Sequence, residues 1–140
     1  MDRILVIGAG GQLGTELTKA LAHKYGNDNI IATDFQDAMK NKFEYCSFQT
    51  LNVMDKPALE KIVEKEKVTQ IYHLAAILSA TGEQHPLQAW DLNMGGLLNV
   101  LEIARDHKIK KVFWPSSIAV FGPHSDKQNT PQQSFKDPNT

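Results

Sequence analysis

A single cysteine, Cys46, occurs among the 140 residues, which excludes an intrachain disulfide and fits a reducing compartment. Neither charge is in excess, since 15 lysines and arginines meet 16 aspartates and glutamates for a formal net charge of −1. Nucleic-acid and membrane-surface binding need clustered basic side chains. The densest basic stretch is Lys108, Lys110 and Lys111, and it leads straight into an apolar run, so it reads as the solvated approach to a sheet. Neither a nucleic acid nor a membrane is an expected partner. Long hydrophobic runs are also lacking. The run at Ile4–Ile7 is far too short for a signal-peptide core or a membrane span, and the chain reads as cytoplasmic. The five histidines (His23, His73, His85, His107 and His124) show no metal-ligand spacing among themselves or with Cys46, so no metal is expected.

What remains is an ordinary globular composition, 41% hydrophobic and 22% charged, at a length that suits one domain with a sizeable core. Short β-branched runs alternate with longer helical stripes, the pattern of βαβ units and a parallel sheet. Ile4–Ile7 is a continuous apolar run ended by glycines, as in a central strand covered on both faces. A helix over Gln12–Lys24 carries Leu13, Leu17, Ala20 and Leu21 as its apolar stripe, and Gly26-Asn27-Asp28-Asn29 turns the chain. Ile30–Thr33 is a second strand with Asp34 at its carboxyl end, and a third strand falls between Glu44 and Val53. Asp55 caps a helix that has Pro57 in its first turn and Leu59, Ile62 and Val63 on one face. Gln70–Ala75 is the fourth strand, Pro86–His107 a long helix, and Lys111–Trp114 the fifth strand. From Gly122 the chain is a polar, proline-containing loop. The expected fold is a Rossmann-type α/β domain, a doubly wound parallel sheet with helices on both faces.

The long helix is unusual in being apolar over much of its circumference. Trp90, Met94, Leu97, Leu98 and Leu101 form one stripe, while Leu92 and Ile103 lie towards another side. Gly95-Gly96 interrupts it at a cost of about 1 kcal/mol per glycine. That reads as close backbone approach against a cofactor or a second subunit rather than as a plain kink.

Gly8-Ala9-Gly10-Gly11-Gln12-Leu13-Gly14 lies between the first strand and the first helix. Gly8, Gly11 and Gly14 fit a dinucleotide-binding spacing, whereas a spacing begun at Gly8 and Gly10 fails because Leu13 stands at its third glycine. Gly8 permits the tight turn, Gly11 lets a pyrophosphate approach the backbone, and Gly14 lets the helix pack on the strand. Gln12 and Leu13 place their amides at the positive end of that helix. Asp34 follows Gly14 by 20 residues at the end of strand two, where a carboxylate accepts from an adenosine ribose and repels a 2′-phosphate. No arginine follows closely to reverse that preference, so NAD is the expected cofactor. By contrast, His73 lies between apolar neighbours and reads as a packed core histidine.

Further segments make the chain resemble the extended short-chain dehydrogenase/reductase family, which includes nucleotide-sugar epimerases and dehydratases. Leu51-Asn52-Val53-Met54-Asp55 resembles the segment that touches adenine, with Asn52 where the family usually carries an acid. His73-Leu74-Ala75-Ala76 is similar to the strand-four motif lining the middle of the cofactor, which implies contacts from Leu74, Ala75 and Ala76. Asn93-Met94-Gly95-Gly96-Leu97-Leu98-Asn99 resembles the helix segment whose asparagine supports the active site, here Asn93. Ser116-Ser117-Ile118-Ala119-Val120-Phe121-Gly122 resembles the strand-five motif, which implies Ser117 as the catalytic serine and Ser116 as its neighbour beside the cofactor. Outside such a motif the two serines would be ordinary turn residues. Ile77–Glu83 and Trp114–Pro123 are most similar to the short-chain L-threonine 3-dehydrogenase subgroup, which offers Ser79 and Thr81 as substrate contacts.

The resemblance implies NAD-dependent oxidation of a small-molecule substrate, L-threonine, and a homodimer through the Pro86–His107 helix. The family's Tyr-x-x-x-Lys motif is absent, since Tyr25, Tyr45 and Tyr72 all lack a lysine four residues on. Residues 1–140 therefore read as an NAD-binding domain that stops before that helix and before a substrate lobe, and as inactive alone. Two other readings fit the same residues: a nucleotide-sugar epimerase or dehydratase, and a non-catalytic NAD-binding module.

Overall fold

The structure, a computed structural model, describes residues 2–138. At its centre β1, Ile4–Ile7, buries all four side chains, as its unbroken apolar run requires. It pairs in parallel with β2 (Ile30–Asp34) on one side and β4 (Gln70–His73) on the other, Ile4 lying level with both Ile30 and Gln70. Outside them run β3 (Ser47–Thr50) and β5 (Lys111–Phe113), giving a five-stranded parallel sheet of order β3-β2-β1-β4-β5. The Rossmann-type fold expected from the sequence is the observed one.

Strand periodicity divides the core in two. Leu5, Ile7, Ile31 and Ile71 face α2 (Lys56–Glu66) and α5 (Gly96–Asp106), meeting Leu59, Ile62, Val63, Val100 and Ile103. Ile4, Val6, Ile30 and Ala32 face the other way, onto Leu21 and Ala22 of α1 (Gln12–Tyr25) and onto Phe43. Each fully buried Ile or Leu contributes roughly 1.5–3 kcal/mol. α2 starts as expected, with the Asp55 carboxylate accepting from the Ala58 amide at 3.0 Å and proline in the first turn. Beneath the sheet Arg3 ties several elements together. Its guanidinium donates to the Glu66 carboxylate at 2.7 Å and to the Asp28 carbonyl, and Glu66 also accepts from Gln49.

Several local expectations change. On α1, Leu17, Thr18, Leu21 and Ala22 turn inward, whereas Ala20 and Leu13 are exposed. Leu13 sits on the solvent side of the first turn, whose inner side is taken by Gly14. β4 and β5 are shorter than read from the sequence, ending at His73 and Phe113. The segment after β4 forms two short helices, α3 (Ser79–Gln84) and α4 (Pro86–Trp90). The single helix expected over Pro86–His107 is α4, a π-helical turn at Asp91–Gly95, and α5.

The apolar faces of that helix are also redistributed. Ile103 is fully buried and Leu92 packs on the same core, so neither lies on a free face. The exposed apolar residues are Leu87, Trp90, Leu98 and Leu101. Gly95 and Gly96 do permit close approach, but to the chain itself. A Cβ on Gly96 would stand 2.9 Å from the Val53 side chain, and one on Gly95 would stand 3.1 Å from Met54.

From β1 the chain winds outward through β2 to β3, then crosses back to β4 on the opposite side of β1. The loops after β1 and β4 therefore diverge and open a crevice at the carboxyl ends of the strands, the place where this architecture binds ligands.

Candidate functional site

The crevice is a cleft of about 820 Å³. One wall is the loop after β1, the floor is the end of β4 and the residues beyond it, and the other wall combines Leu51–Met54 with α4. Of the sequence-derived candidates, Gly8, Gly11, Asp34, Asn52, Val53, Leu74, Ala75, Ala76 and Thr81 line it together.

The loop takes its shape from β2. Thr33 carbonyl oxygen accepts from the amides of both Gly8 and Ala9 at 2.9 Å. Gly8 has φ +81°, and a Cβ there would stand 2.6 Å from the Ala75 nitrogen, so both the turn and its fit against the floor require glycine. Gly14 is needed for packing, since its Cβ would lie 2.3 Å from the Gly8 carbonyl. Gly11 differs. A Cβ there would meet only the Gly8 carbonyl, at 3.5 Å, so the loop faces open space at the point where a ligand would approach.

Asp34 is 7% exposed and locks the loop from the next strand. One carboxylate oxygen accepts from the Gly10 amide at 2.9 Å and the other from Gln36 at 3.1 Å. Each oxygen keeps a lone pair free for a further donor. Gly10 was not singled out from the sequence because it falls outside the spaced glycines. A Cβ there would strike the Met39 side chain at 2.6 Å and the Asp34 carboxylate at 2.8 Å. Phe35, Gln36, Met39, Gln88, Asp91 and Leu92 also line the cleft without a sequence motif to flag them.

The start of α1 tests whether a dinucleotide fits. Its N-cap, Gly11, offers no side chain to the first amides, and the first turn has no acidic residue. Those N–H groups lie uncapped at the positive end of a 14-residue helix, beside the open face of Gly11. The donor set suits a pyrophosphate, and the Asp34 carboxylate suits a sugar hydroxyl.

Other candidates lie outside the cleft lining. Gln12, Leu13 and Gly14 stand behind or beside the loop. Asn93, expected to support the active site, does not line the cleft. Its Oδ1 accepts from the Ile77 amide at 2.8 Å and its Nδ2 donates to the Ile77 carbonyl at 3.1 Å, so the side chain clamps the segment after β4. The π-helical turn carries it there, and such turns often mark functional sites. Ser116 and Ser117 are exposed beyond β5 and do not line the cleft. Ser117 Oγ accepts from the Ala119 amide at 3.1 Å. The Ser79 side chain lies outside the described residues. His73 is fully buried without a hydrogen-bond partner on either ring nitrogen, and burial lowers its pKa to about 4. It is therefore a neutral core residue, as expected.

This arrangement agrees with the comparisons. The chain matches the NAD dependent epimerase/dehydratase family over residues 4–140. It belongs to that family. An uncharacterized epimerase/dehydratase of Staphylococcus saprophyticus is 48% identical over 143 residues, covering 99% of this chain and 43% of the relative. A GalE-like L-threonine dehydrogenase from Cupriavidus necator, solved in holo form, superimposes with a TM-score of 0.92 at 47% identity, over 97% of this chain and 44% of that one. A monomeric L-threonine 3-dehydrogenase from a metagenome, in apo form, gives 0.88 at 47% identity, over 96% and 42%. The chain thus spans less than half the length of each of these three proteins. Among the described residues, no helix is long and apolar enough to cross a membrane.

Proposed function

We propose that residues 1–140 are the NAD-binding domain of a cytoplasmic dehydrogenase that oxidises the side-chain hydroxyl of L-threonine to give 2-amino-3-oxobutyrate. The observation that carries this reading is 47% identity, across nearly the whole chain, to proteins described as L-threonine dehydrogenases. The Tyr-x-x-x-Lys helix and a substrate lobe would belong to the rest of the protein, and this chain by itself would not turn over.

The residues divide the work as follows. The amides of Gly11, Gln12 and Leu13 hold the pyrophosphate, with Gly8 and Gly14 shaping the turn around it. Asp34 takes the ribose hydroxyls and disfavours a 2′-phosphate, which selects NAD over NADP. Asn52 and Val53 border the adenine, and Leu74, Ala75, Ala76 and Ser116 border the middle and far part of the cofactor. Bound NAD supplies the hydride acceptor. Ser117 holds the reacting hydroxyl by a hydrogen bond and fixes it for transfer. Its Oγ accepts from Ala119, which leaves its own O–H to donate. Thr81 and Ser79 contact the amino-acid substrate, and Asn93 keeps Ile77 and the cleft floor in place.

Kinetics on the full-length protein test this. Threonine-dependent NAD reduction is expected, with no epimerisation of nucleotide sugars; the reverse pattern would replace the threonine reading with the epimerase one. NAD binding without turnover of either substrate class would favour a non-catalytic module. Asp34→Ala should weaken NAD and narrow its advantage over NADP. Equal binding of the two cofactors by the unaltered protein would remove the role given to Asp34.

Assembly as a homodimer through the Pro86–His107 helix belongs to the same proposal, on a face revised to Leu87, Trp90, Leu98 and Leu101. One self-complementary patch closes on itself under two-fold symmetry. One of the similar enzymes is described as monomeric, so sedimentation of the full-length protein is a real test. A Leu98→Glu variant should dissociate it, and a monomer before substitution would end the dimer reading.

A further inference from the structure

We propose that Glu60, Glu64 and His107 form a divalent transition-metal site on the outer side of the helical layer, distinct from the cleft. Their ligand atoms lie within 4.8 Å of one another. Glu60 and Glu64 stand one turn apart on α2 and so project from the same face. His107 ends α5, and its Nε2 is 2.8 Å from the nearer Glu60 oxygen. The three residues are separated by up to 47 positions, which is why no ligand spacing is legible in the sequence.

The scaffold beneath is rigid. Leu59, Ile62 and Val63 of α2 pack in one cluster with Val100 and Ile103 of α5. About one turn nearer the amino-terminal ends of the two helices, Lys56 and Glu102 form an ion pair at 2.6 Å. His107 is fixed at the helix end by its amide, which donates to the Ile103 carbonyl at 2.9 Å. Two of the three ligand side chains are therefore already in place. Glu64 is exposed, so its carboxylate is free to swing inward by the small distance that a bond of about 2.1 Å demands.

The donor set chooses the ion. One imidazole nitrogen and two carboxylates suit Zn²⁺, with water completing a tetrahedron, whereas Mg²⁺ and Ca²⁺ prefer oxygen throughout. Two carboxylates also balance the charge of the ion. Metal binding takes the Nε2 lone pair, so a neutral imidazole bound this way carries its proton on Nδ1. The site spans the middle and last turns of α2 and the carboxyl end of α5, whereas the cleft borders their amino-terminal ends at Val53 and Asp91–Leu92. An ion there would clamp the two helices together without touching the cofactor.

The test is calorimetric titration of Zn²⁺ into chelator-treated protein, with thermal melts alongside. Saturable one-site binding in the micromolar range and a raised melting temperature are expected, with no response to Mg²⁺. Glu64→Gln and His107→Gln should each weaken Zn²⁺ at least tenfold and leave NAD affinity unchanged. Glu64 is exposed and outside the His107–Glu60 pair, so E64Q keeps the test clear of any folding defect in H107Q. Absence of saturable binding below millimolar Zn²⁺, or binding that E64Q leaves intact, would overturn the proposal.

Discussion

The β2 side of the sheet and the β5 side differ in how far the chain completes its own packing. β2 is buried along its whole length, with α1 over one face and α2 and α5 over the other. β5 is an edge strand in which Phe113 is 44% exposed, and its main ring contact is Tyr72, 5.6 Å away between centroids. The glycine loop leaves the completed side and is held at three amides, those of Gly8, Ala9 and Gly10, by Thr33 and Asp34. The serine segment leaves the edge strand, and Ser117 is steadied by one local bond to Ala119. The geometry of the glycine loop is thus built into the fold of this chain. The serines sit where packing constrains them least.

Substitutions should separate the two sides. The largest effect is expected at Gly14→Ala, whose methyl would press on the backbone at Gly8 and Ala9 and cost roughly 3 kcal/mol or more. Gly11→Ala, a few residues away but facing open space, should cost only the poorer N-cap, about 1 kcal/mol or less, while weakening NAD. Urea unfolding of both distinguishes a packing glycine from a ligand-facing one. Equal losses in the two variants would erase the distinction.

His73 lies on β4, at the boundary between the two sides, and should make stability pH-dependent. Burial holds its pKa at about 4, below the ordinary 6.5, so between those values the unfolded chain binds the extra proton and the folded one does not. Stability is then full above pH 6.5, falls as the pH drops through this window, and levels off near pH 4. The loss over the window is roughly 3 kcal/mol. Urea midpoints across it should follow that curve, and His73→Leu should flatten it. An unchanged slope in the variant would assign the acid sensitivity to other groups.

Smaller effects are expected at the β5 edge. Phe113→Ala gives up only partial burial and should cost about 1 kcal/mol, against about 2–5 kcal/mol for a fully buried position such as Ile31→Ala. Comparable losses at both would show that β5 is as well packed as β2. Ser117→Ala should be the mildest for folding, within about 0.5 kcal/mol. In the full-length protein it should lower turnover strongly and leave NAD affinity nearly unchanged. A weakened cofactor with turnover intact would mean that the serine is wrongly placed in the mechanism.

Strand runs were legible because β1 and β2 are buried on both faces, and such strands read as continuous apolar runs. The cap at Asp55, the glycine loop and Asp34 were legible because each depends on residues close together or at a fixed spacing. Asn93 was singled out only through resemblance, and its bonds to Ile77 show that it positions backbone. Gly10 was missed because its partners, Met39 and Asp34, come from other elements.

The sequence by itself thus determined the βαβ order, the central strands and the residues that shape the glycine turn, since local periodicity and backbone freedom are properties of short segments. Tertiary structure alone decided which side of the long helix is free. Helical spacing fixes which residues share a face, but not which face meets the sheet. The π-helical turn at Asp91–Gly95 sets the phase of α5, so Ile103 goes into the core and Leu98 to the surface. Tertiary structure alone also brought His107 to Glu60. Their meeting depends on two helices, distant in sequence, packing side by side on one face of the sheet.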